Sequence, residues 1–285
     1  MTTVLRYSAF TTDPSGGNKA GVVPDATGLT DQQMLALAAE LGYSETAFLT
    51  AVPDAADRRY QVRYFAPTLE VPFCGHATIA AAVAMAHADG PGELVFETKA
   101  GTVPVQVAEQ DGVLHATLTS VEPKVLAIGA DEVEQALAAL GWAAADLDPQ
   151  LPPRIAYAGA HHLVLAVRTR ERLADLAYDF DRLAAFMTAR DLVTLQLVWR
   201  ESGTVFHVRD PFPVGGVVED PATGAAAAAF GAYLRELGEA GESAELTLHQ
   251  GEDLGSPGLL RVRLTAGDPR VRVTGAAVPL PQAAA

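Results

Sequence analysis

Two stretches of this 285-residue chain decide the fold: Val62-Arg63-Tyr64-Phe65-Ala66-Pro67, which leads to Cys74-Gly75-His76-Ala77-Thr78, and Val208-Arg209-Asp210-Pro211-Phe212-Pro213, which leads to Asp220-Pro221-Ala222-Thr223-Gly224. In each stretch a strand-like run passes through a turn into an alanine-rich run that is typical of a helix. The first N–H groups of a helix lack intrahelical acceptors and lie at the positive end of its dipole, so each turn can face an anion. The repeat therefore predicts two helix ends that together bind a small carboxylate.

The alanine-rich runs predict helices that are surrounded by protein. Alanine is the best helix former, and the five alanines of Ala225–Ala229 leave no polar face before Phe230. A helix without a polar face is more stable inside a protein than in water. We therefore expect a buried central helix in each half of the chain.

Composition limits the classes of function. The net charge of −15 comes from 35 acidic and 20 basic residues, which disfavours a nucleic-acid groove because phosphate binding needs clustered Lys and Arg. No apolar stretch reaches membrane-spanning length, and residues 1–7 lack the features of a signal peptide. We therefore expect a cytoplasmic protein with no nucleic-acid and no membrane partner. The single cysteine, Cys74, excludes an intramolecular disulfide and a zinc–thiolate cluster.

Hydrophobic periodicity and turn residues predict a mixed α+β chain in two domains. Strand signals lie at 4–10, 45–52, 60–65, 94–97, 103–108, 114–118, 154–157, 162–167, 193–199, 205–209, 244–249, 259–264 and 271–274. Helix signals lie at 30–41, 78–88, 131–140, 170–176 and 181–189, and in the run after Ala225. Pro123 and Gly129 mark a boundary, so we place an N-terminal lobe at 1–122 and a C-terminal lobe at 130–270, with the strand near 271–278 as a candidate to complete the first.

Four spaced motifs together resemble one family. They are Phe10-Thr11 with Gly17-Asn18, Ser44-Glu45-Thr46-Ala47-Phe48, Cys74-Gly75-His76-Ala77-Thr78 and Glu219-Asp220-Pro221-Ala222-Thr223-Gly224, and they are followed by Gln250-Gly251 and Val273-Thr274-Gly275. In this order, and over nearly the whole chain, they resemble the PhzF family, which is named for phenazine biosynthesis.

The resemblance implies a fold like that of diaminopimelate epimerase. Two pseudo-symmetric lobes are each a curved, mostly antiparallel β-sheet wrapped around a central helix, and the active site lies in the cleft between them. The resemblance also implies a homodimer with no cofactor and no metal. Related epimerases and racemases carry a catalytic cysteine before each central helix. Here Cys74 resembles the first, but Asp220 stands at the second position, which disfavours a two-thiol mechanism.

The family assigns its chemistry to a glutamate, a histidine and an aspartate, which in this sequence are Glu45, His76 and Asp220. Moving a proton from one carbon to another needs a base that can return what it takes. Tyr43 and Phe48 flank Glu45 and suit such a base, whereas the alternative is an exposed strand glutamate. We predict that Glu45, His76 and Asp220 are the catalytic residues.

Substrate binding is expected at the two helix ends. We assign it to Asn18, Gly75, Ala77, Thr223, Gly224 and Ala225. Structural alternatives stay open for two catalytic candidates. His76 can be a helix-capping or core histidine, and Asp220 can be the helix cap that precedes Pro221. Cys74 is interpreted as a packing residue.

The chain departs from the family pattern at positions that bear on substrate identity. Ala225 replaces a serine whose hydroxyl contacts substrate, which removes a hydrogen bond worth about 1 kcal/mol. Lys19 replaces the proline that follows Gly-Asn, and Ser256 replaces the arginine of a late Gly-Arg-Pro motif. Asp210 and Pro211 interrupt the usual Arg-x-Phe-x-Pro run.

Other enzyme classes have less support. A serine hydrolase needs Gly-x-Ser-x-Gly, and the segment around Ser44 lacks the final glycine. His161 and His162 would point to opposite faces of a strand, and the sequence has neither His-Glu-x-x-His nor Gly-x-Gly-x-x-Gly. The resemblance to the PhzF family therefore leads us to expect a cofactor-independent isomerase that shifts a proton on a small carboxylate. The alternatives are an amino-acid epimerase or racemase, and a catalytically diverged carboxylate-binding protein of the same fold.

Overall fold

Seventeen strands and six α-helices are formed by residues 2–53, 55 and 58–281, which are the residues that the computed structural model describes. The chain divides into one unit of residues 1–119 with 274–285 and a second unit of residues 120–273. Among the described residues, no helix has the length and apolar character needed to cross a membrane.

The elements are numbered in chain order. The strands are β1 (Leu5–Ala9), β2 (Asn18–Val23), β3 (Glu45–Ala51), β4 (Arg59–Phe65), β5 (Glu70–Val71), β6 (Gly92–Thr98), β7 (Gly101–Gln110), β8 (Val113–Thr119), β9 (Lys124–Leu126), β10 (Arg154–Tyr157), β11 (His161–Val167), β12 (Leu192–Arg200), β13 (Val205–Pro211), β14 (Glu219–Asp220), β15 (Ala244–Gln250), β16 (Gly258–Thr265) and β17 (Asp268–Pro279). The helices are α1 (Asp31–Leu41), α2 (Gly75–Asp89), α3 (Ala130–Leu140), α4 (Arg170–Ala174), α5 (Phe180–Thr188) and α6 (Gly224–Glu236).

The sheet of the first unit surrounds α2. Antiparallel pairs join β1 to β2, β3 to β4, β6 to β7 and β7 to β8, while β2–β3 and β4–β6 are parallel. The end of β17 pairs with both β1 and β8, which closes the sheet into a barrel. Every residue of α2 from His76 to Ala86 is buried. The prediction of a buried helix in this half is therefore confirmed.

The second unit repeats this arrangement around α6. Its pairs β10–β11, β12–β13 and β15–β16 are antiparallel, while β11–β12 and β13–β15 are parallel. This is the same alternation that runs from β1 to β7 in the first unit. Residues 226–234 of α6 are all buried. The sequence repeat is therefore also a repeat of structure.

Candidate active site

His76 is the centre of a polar cluster in the first unit. It is the second residue of α2, and its Nε2 lies 3.4 Å from Oε2 of Glu45, the first residue of β3. Its Nδ1 lies 3.1 Å from Nδ2 of Asn18, the first residue of β2. Because β2 and β3 are neighbouring parallel strands, both of their starting residues reach the same end of the helix. Three residues that the sequence assigned to the site are thus brought together.

Ser44 and Cys74 complete the cluster. Ser44 Oγ is 3.2 Å from His76 Nε2, and Cys74 Sγ is 3.4 Å from His76 Nδ1. Only 13% of the Glu45 side chain and 5% of the His76 side chain are exposed, so the carboxylate and the imidazole meet with little water around them. Ser44 was not among the predicted site residues, although its position directly before Glu45 was an available signal.

Hydrogen bonding selects one tautomer of neutral His76. With the Asn18 amide oriented to donate from Nδ2, Nδ1 of His76 is the acceptor, and Nε2 therefore carries the proton. The Nε2–H group then faces Ser44 Oγ and the Glu45 carboxylate, which can only accept hydrogen bonds when it is ionised and so complements the N–H donor. The cluster can thus orient a carboxylate base through a neutral imidazole.

Gly17 sets the position of Asn18. Its φ angle is +68°, and a Cβ atom there would collide with the carbonyl oxygen of Ala9 and the side chain of Thr11. Only glycine meets both requirements at this turn. The Gly17-Asn18 motif is therefore a backbone requirement for placing the Asn18 amide beside His76.

A second cluster lies at the start of α6 in the second unit. The Thr223 hydroxyl donates to Asp220 Oδ2 at a distance of 2.5 Å. The buried Gln250 side chain accepts from Thr223 N at 2.9 Å and donates to the Asp220 carbonyl oxygen at 2.8 Å. Gln250 thereby ties β14 to the helix start, a role that the sequence did not reveal beyond the Gln250-Gly251 motif.

The observed starts of α2 and α6 decide the two helix-capping alternatives that the sequence left open. Thr223 occupies the N-cap of α6, so the alternative in which Asp220 caps this helix is wrong. Cys74 occupies the N-cap of α2, which places His76 inside the first turn rather than at the cap. Because the Thr223 hydroxyl bonds to Asp220, the first N–H groups of α6 are left for other acceptors.

The remaining predicted binding residues lie in the first turns of the two central helices. Gly75 begins α2 and Gly224 begins α6. Ala77 is fully buried, whereas Ala225 is partly exposed. The N–H groups of a first turn have no intrahelical acceptor, so both glycines present donors at positions where an anion can bind.

A row of buried polar residues crosses the second unit beneath α6. Leu163 and Leu195 pack into the core that contains α3 and α5, so their neighbours His162 and Thr194 face the opposite side of the sheet. His162 Nδ1 lies 2.8 Å from Thr194 Oγ1, and this hydroxyl reaches Asp210 Oδ1 at 3.4 Å. Burial lowers the pKa of His162 to about 3. His162 is therefore neutral and extends a polar chain that ends at Asp210.

Asp210 is a fully buried acid next to Asp220. The two residues are directly opposite each other in the β13–β14 pair. Burial raises the pKa of Asp210 well above its usual range, and the charges of Asp220 and Glu219 raise it further. Hydrogen bonding with Thr223 and Thr194 opposes only part of this rise. Asp210, which lies behind the Asp220 carboxyl group, should therefore keep its proton to a higher pH than an exposed aspartate.

The Asp210→Asn variant should gain stability relative to the wild type as the pH rises. The pKa of Asp210 is raised in the folded state. Above about pH 4, Asp210 is therefore ionised in the unfolded chain but still protonated in the folded chain. The wild type thus loses stability as the pH rises, until the pH passes the pKa of the folded state. The difference should grow by about 1.4 kcal/mol per unit of pKa rise. Denaturant titrations at pH 5 and pH 8 measure it.

The exposed Asp175, whose side chain is 76% accessible, provides the matched control. Its change to Asn should shift stability by less than about 0.5 kcal/mol at either pH. An Asp210→Asn effect of the same size at both pH values would show that Asp210 is ionised in the folded protein.

Comparisons with known proteins agree with this architecture. The family model described as a phenazine biosynthesis-like protein (PhzC-PhzF) matches residues 7–283. An uncharacterized isomerase of Deinococcus radiodurans is 36% identical over 278 residues, which cover 95% of this chain and 89% of the relative. The trans-2,3-dihydro-3-hydroxyanthranilate isomerase of Pseudomonas chlororaphis is 31% identical over 257 residues, with 90% and 87% of the two chains covered.

The structural comparison agrees with the family match. The crystal structure of a PhzF-family phenazine biosynthesis protein of Bacillus anthracis gives a TM-score of 0.88 at 26% identity, covering 98% of this chain and 97% of the other. The α+β fold of the diaminopimelate epimerase type, which the resemblance implied, is thereby confirmed. By its motifs, its fold and its similarity to named isomerases, the chain belongs to the PhzF family of isomerases.

Proposed function

We propose that this isomerase shifts a proton between two carbons of a small carboxylate by acid–base chemistry, without a cofactor. The observation that carries the proposal is the largely buried pair of Glu45 Oε2 and His76 Nε2, 3.4 Å apart. A carboxylate shielded from water is a better base toward a C–H group than an exposed one. The neutral imidazole orients this base while the carboxylate carries the proton.

The roles divide between the two clusters. Glu45 removes a proton from an acidic C–H group and delivers it to a second carbon of the same substrate. For the second cluster, we propose that the first-turn N–H groups of α6, with Thr223 and Asp220 beside them, bind a carboxylate group.

The substrate class follows from this chemistry. A C–H group that is allylic or lies next to an amino and a carboxylate group is more acidic than an ordinary C–H group, so these carbons are the candidates for proton removal. The similarity to a trans-2,3-dihydro-3-hydroxyanthranilate isomerase supports a cyclic amino carboxylate as the first compound to test. We also propose that the protein is a cytoplasmic homodimer. Light scattering of the purified chain would test whether it forms a dimer.

The test is proton NMR of the full chain with trans-2,3-dihydro-3-hydroxyanthranilate and a panel of cyclic and α-amino carboxylates in deuterated water. The proposal expects new C–H resonances or loss of a substrate C–H signal for at least one compound. Inverted configuration at the same carbon would instead favour the epimerase alternative. Saturable binding of a compound that stays unchanged would favour a diverged carboxylate-binding protein.

The Ala225→Ser variant should bind family-type carboxylates about tenfold more tightly, the worth of about one net hydrogen bond. Serine is well tolerated in a first helical turn, and Ala225 is partly exposed at the start of α6. Calorimetric titration of both proteins with the same panel measures the change. If Ala225 instead makes room for a bulkier substrate, the variant should bind the native ligand more weakly. No change for any ligand would show that this helix end lies outside the site.

A further inference from the structure

Beyond proton transfer, the cluster at the start of α2 has the composition of a metal site. Glu45, Cys74 and His76 each offer one ligand atom, and these atoms lie within 4.8 Å of one another. Proton transfer by Glu45 and His76 does not require the thiol of Cys74. We propose that Glu45, Cys74 and His76 form a binding site for Zn²⁺, which acts as an inhibitor rather than as a cofactor.

Two of the three ligand atoms already have the spacing of a tetrahedral zinc site. Zinc bonds of about 2.0 Å to oxygen and 2.05 Å to nitrogen place neighbouring N and O ligands about 3.3 Å apart, and Glu45 Oε2 is 3.4 Å from His76 Nε2. Cys74 Sγ is 3.8 Å from the same nitrogen and 3.4 Å from Nδ1, so the Cys74 side chain must turn toward Nε2 to form the third corner. The fourth corner is left for water or a ligand.

Asn18 provides the outer shell of this site. When a histidine binds metal through one nitrogen, the other nitrogen usually donates its N–H to an oxygen. The Asn18 amide lies 3.1 Å from His76 Nδ1, and an amide can present either its nitrogen or its oxygen. With Zn²⁺ on Nε2, the amide turns its oxygen toward Nδ1–H, so the same residue supports the catalytic and the metal-bound states.

Binding exchanges a proton for the metal. Thiolate is the zinc ligand, so the Cys74 thiol releases its proton to solvent as the Zn–S bond forms, with no change of oxidation state. Affinity should therefore rise with pH. Because the ion binds both Glu45 and His76, it blocks the groups that the proposed function uses. The inhibition therefore rests on the proposed function, whereas Zn²⁺ binding does not.

The binding test uses Co²⁺ as a spectroscopic probe of the chelator-treated full-length protein. We expect one equivalent of Co²⁺ to give a thiolate-to-metal charge-transfer band with the intense visible bands of tetrahedral geometry, and Zn²⁺ to abolish both. Cys74→Ala and Cys74→Ser should lose the charge-transfer band and weaken Zn²⁺ binding by more than about 100-fold, because removing an outer-shell partner alone costs 10- to 100-fold. Circular dichroism checks that both variants fold.

A second group of histidine and glutamate side chains, around His207, provides the control for non-specific Zn²⁺ binding. His207 Nε2 lies 2.7 Å from Glu201 Oε2, and its Nδ1 lies 2.8 Å from Glu252 Oε2. His207→Ala should leave the thiolate band and the tight Zn²⁺ binding unchanged. Absence of the band in the wild type, or wild-type affinity in both Cys74 variants, would overturn the proposal.

The activity test separates this proposal from the proposed function. With a turned-over substrate, wild-type activity should fall as one equivalent of Zn²⁺ binds and return when a chelator removes it. Tight Zn²⁺ binding without inhibition would refute the inhibitory role. A protein that binds Zn²⁺ as expected but turns over no substrate would count against the proposed function alone.

Discussion

The Glu45→Gln variant should lose at least about 100-fold in turnover, the lower range for general acid–base catalysis, while its fold and ligand affinity are kept. Glutamine fills the same volume and still offers an oxygen to His76 Nε2, which lies 3.4 Å from the glutamate oxygen. An amide, however, does not take up and return a proton at neutral pH. Turnover by NMR and affinity by calorimetry measure the two effects separately.

Two further variants serve as controls for this result. Glu245→Gln changes a glutamate whose side chain is 73% exposed and should not alter turnover. Cys74→Ala should retain most activity, because the thiol is not the proposed base. Full activity of Glu45→Gln would refute the assignment, and complete loss in Cys74→Ala would point to a thiol mechanism.

The Arg209→Met variant should lose about 3–5 kcal/mol of stability, the cost of leaving one partner of a buried ion pair uncompensated. Arg209 Nη2 donates to Glu219 Oε2 at 2.6 Å, and only 1% of the Glu219 side chain is exposed. Arg209 also donates to the Ala174 carbonyl oxygen at 2.8 Å. Methionine keeps much of the buried volume, so the loss reports the charge. Denaturant unfolding measures it.

The pH dependence of this loss identifies its cause. Burial raises the pKa of Glu219, and Arg209 opposes that rise. Without Arg209 the folded protein should take up a proton on Glu219, so the loss should be smaller at pH 5 than at pH 8. The exposed pair of Arg263 and Glu245, with side chains 64% and 73% accessible, is the control, and Arg263→Met should cost less than about 1 kcal/mol. Equal losses at the two sites would contradict the buried-pair account.

Local signals made the helices predictable. Thr30, a residue type that is preferred at the N-cap, caps α1, and its hydroxyl forms the capping box with Gln33. The alanines of α6 are enclosed as their lack of a polar face indicated. The start of α2 was placed at 78, three residues later than the observed Gly75, because glycine and histidine are poor helix formers that tertiary packing overrode.

The strands without their own pattern were missed. β2 begins at Asn18, the last residue of Gly16-Gly17-Asn18, a sequence that is typical of a turn. The position of this strand is set by its pairing with β1 and β3. The two-residue strands β5 and β14 have no periodicity at all, and they exist through pairing with β4 and β13. Such elements depend on partners that only the folded chain supplies.

The site was predictable as a set of motifs and not as a set of contacts. The residues Asn18, Glu45 and His76 are recognisable from the family resemblance, but Asn18 and His76 are 58 positions apart. Gln250 gave no sign of bridging Asp220 and Thr223, and Asp210 was visible only as a departure from the family pattern. Burial and register, which create both roles, come from strand pairing far along the chain.

The most direct test of whether one base carries the proton between the two carbons is a single-turnover reaction in ordinary water, with a substrate deuterated at its acidic carbon. If Glu45 takes the deuteron and returns it to a second carbon, part of the deuterium should appear at that carbon of the product, because a carboxyl group that is only 13% exposed can return the deuteron before solvent replaces it. Product formed with no deuterium at the new carbon, at the shortest times that can be sampled, would contradict transfer by one shielded carboxylate.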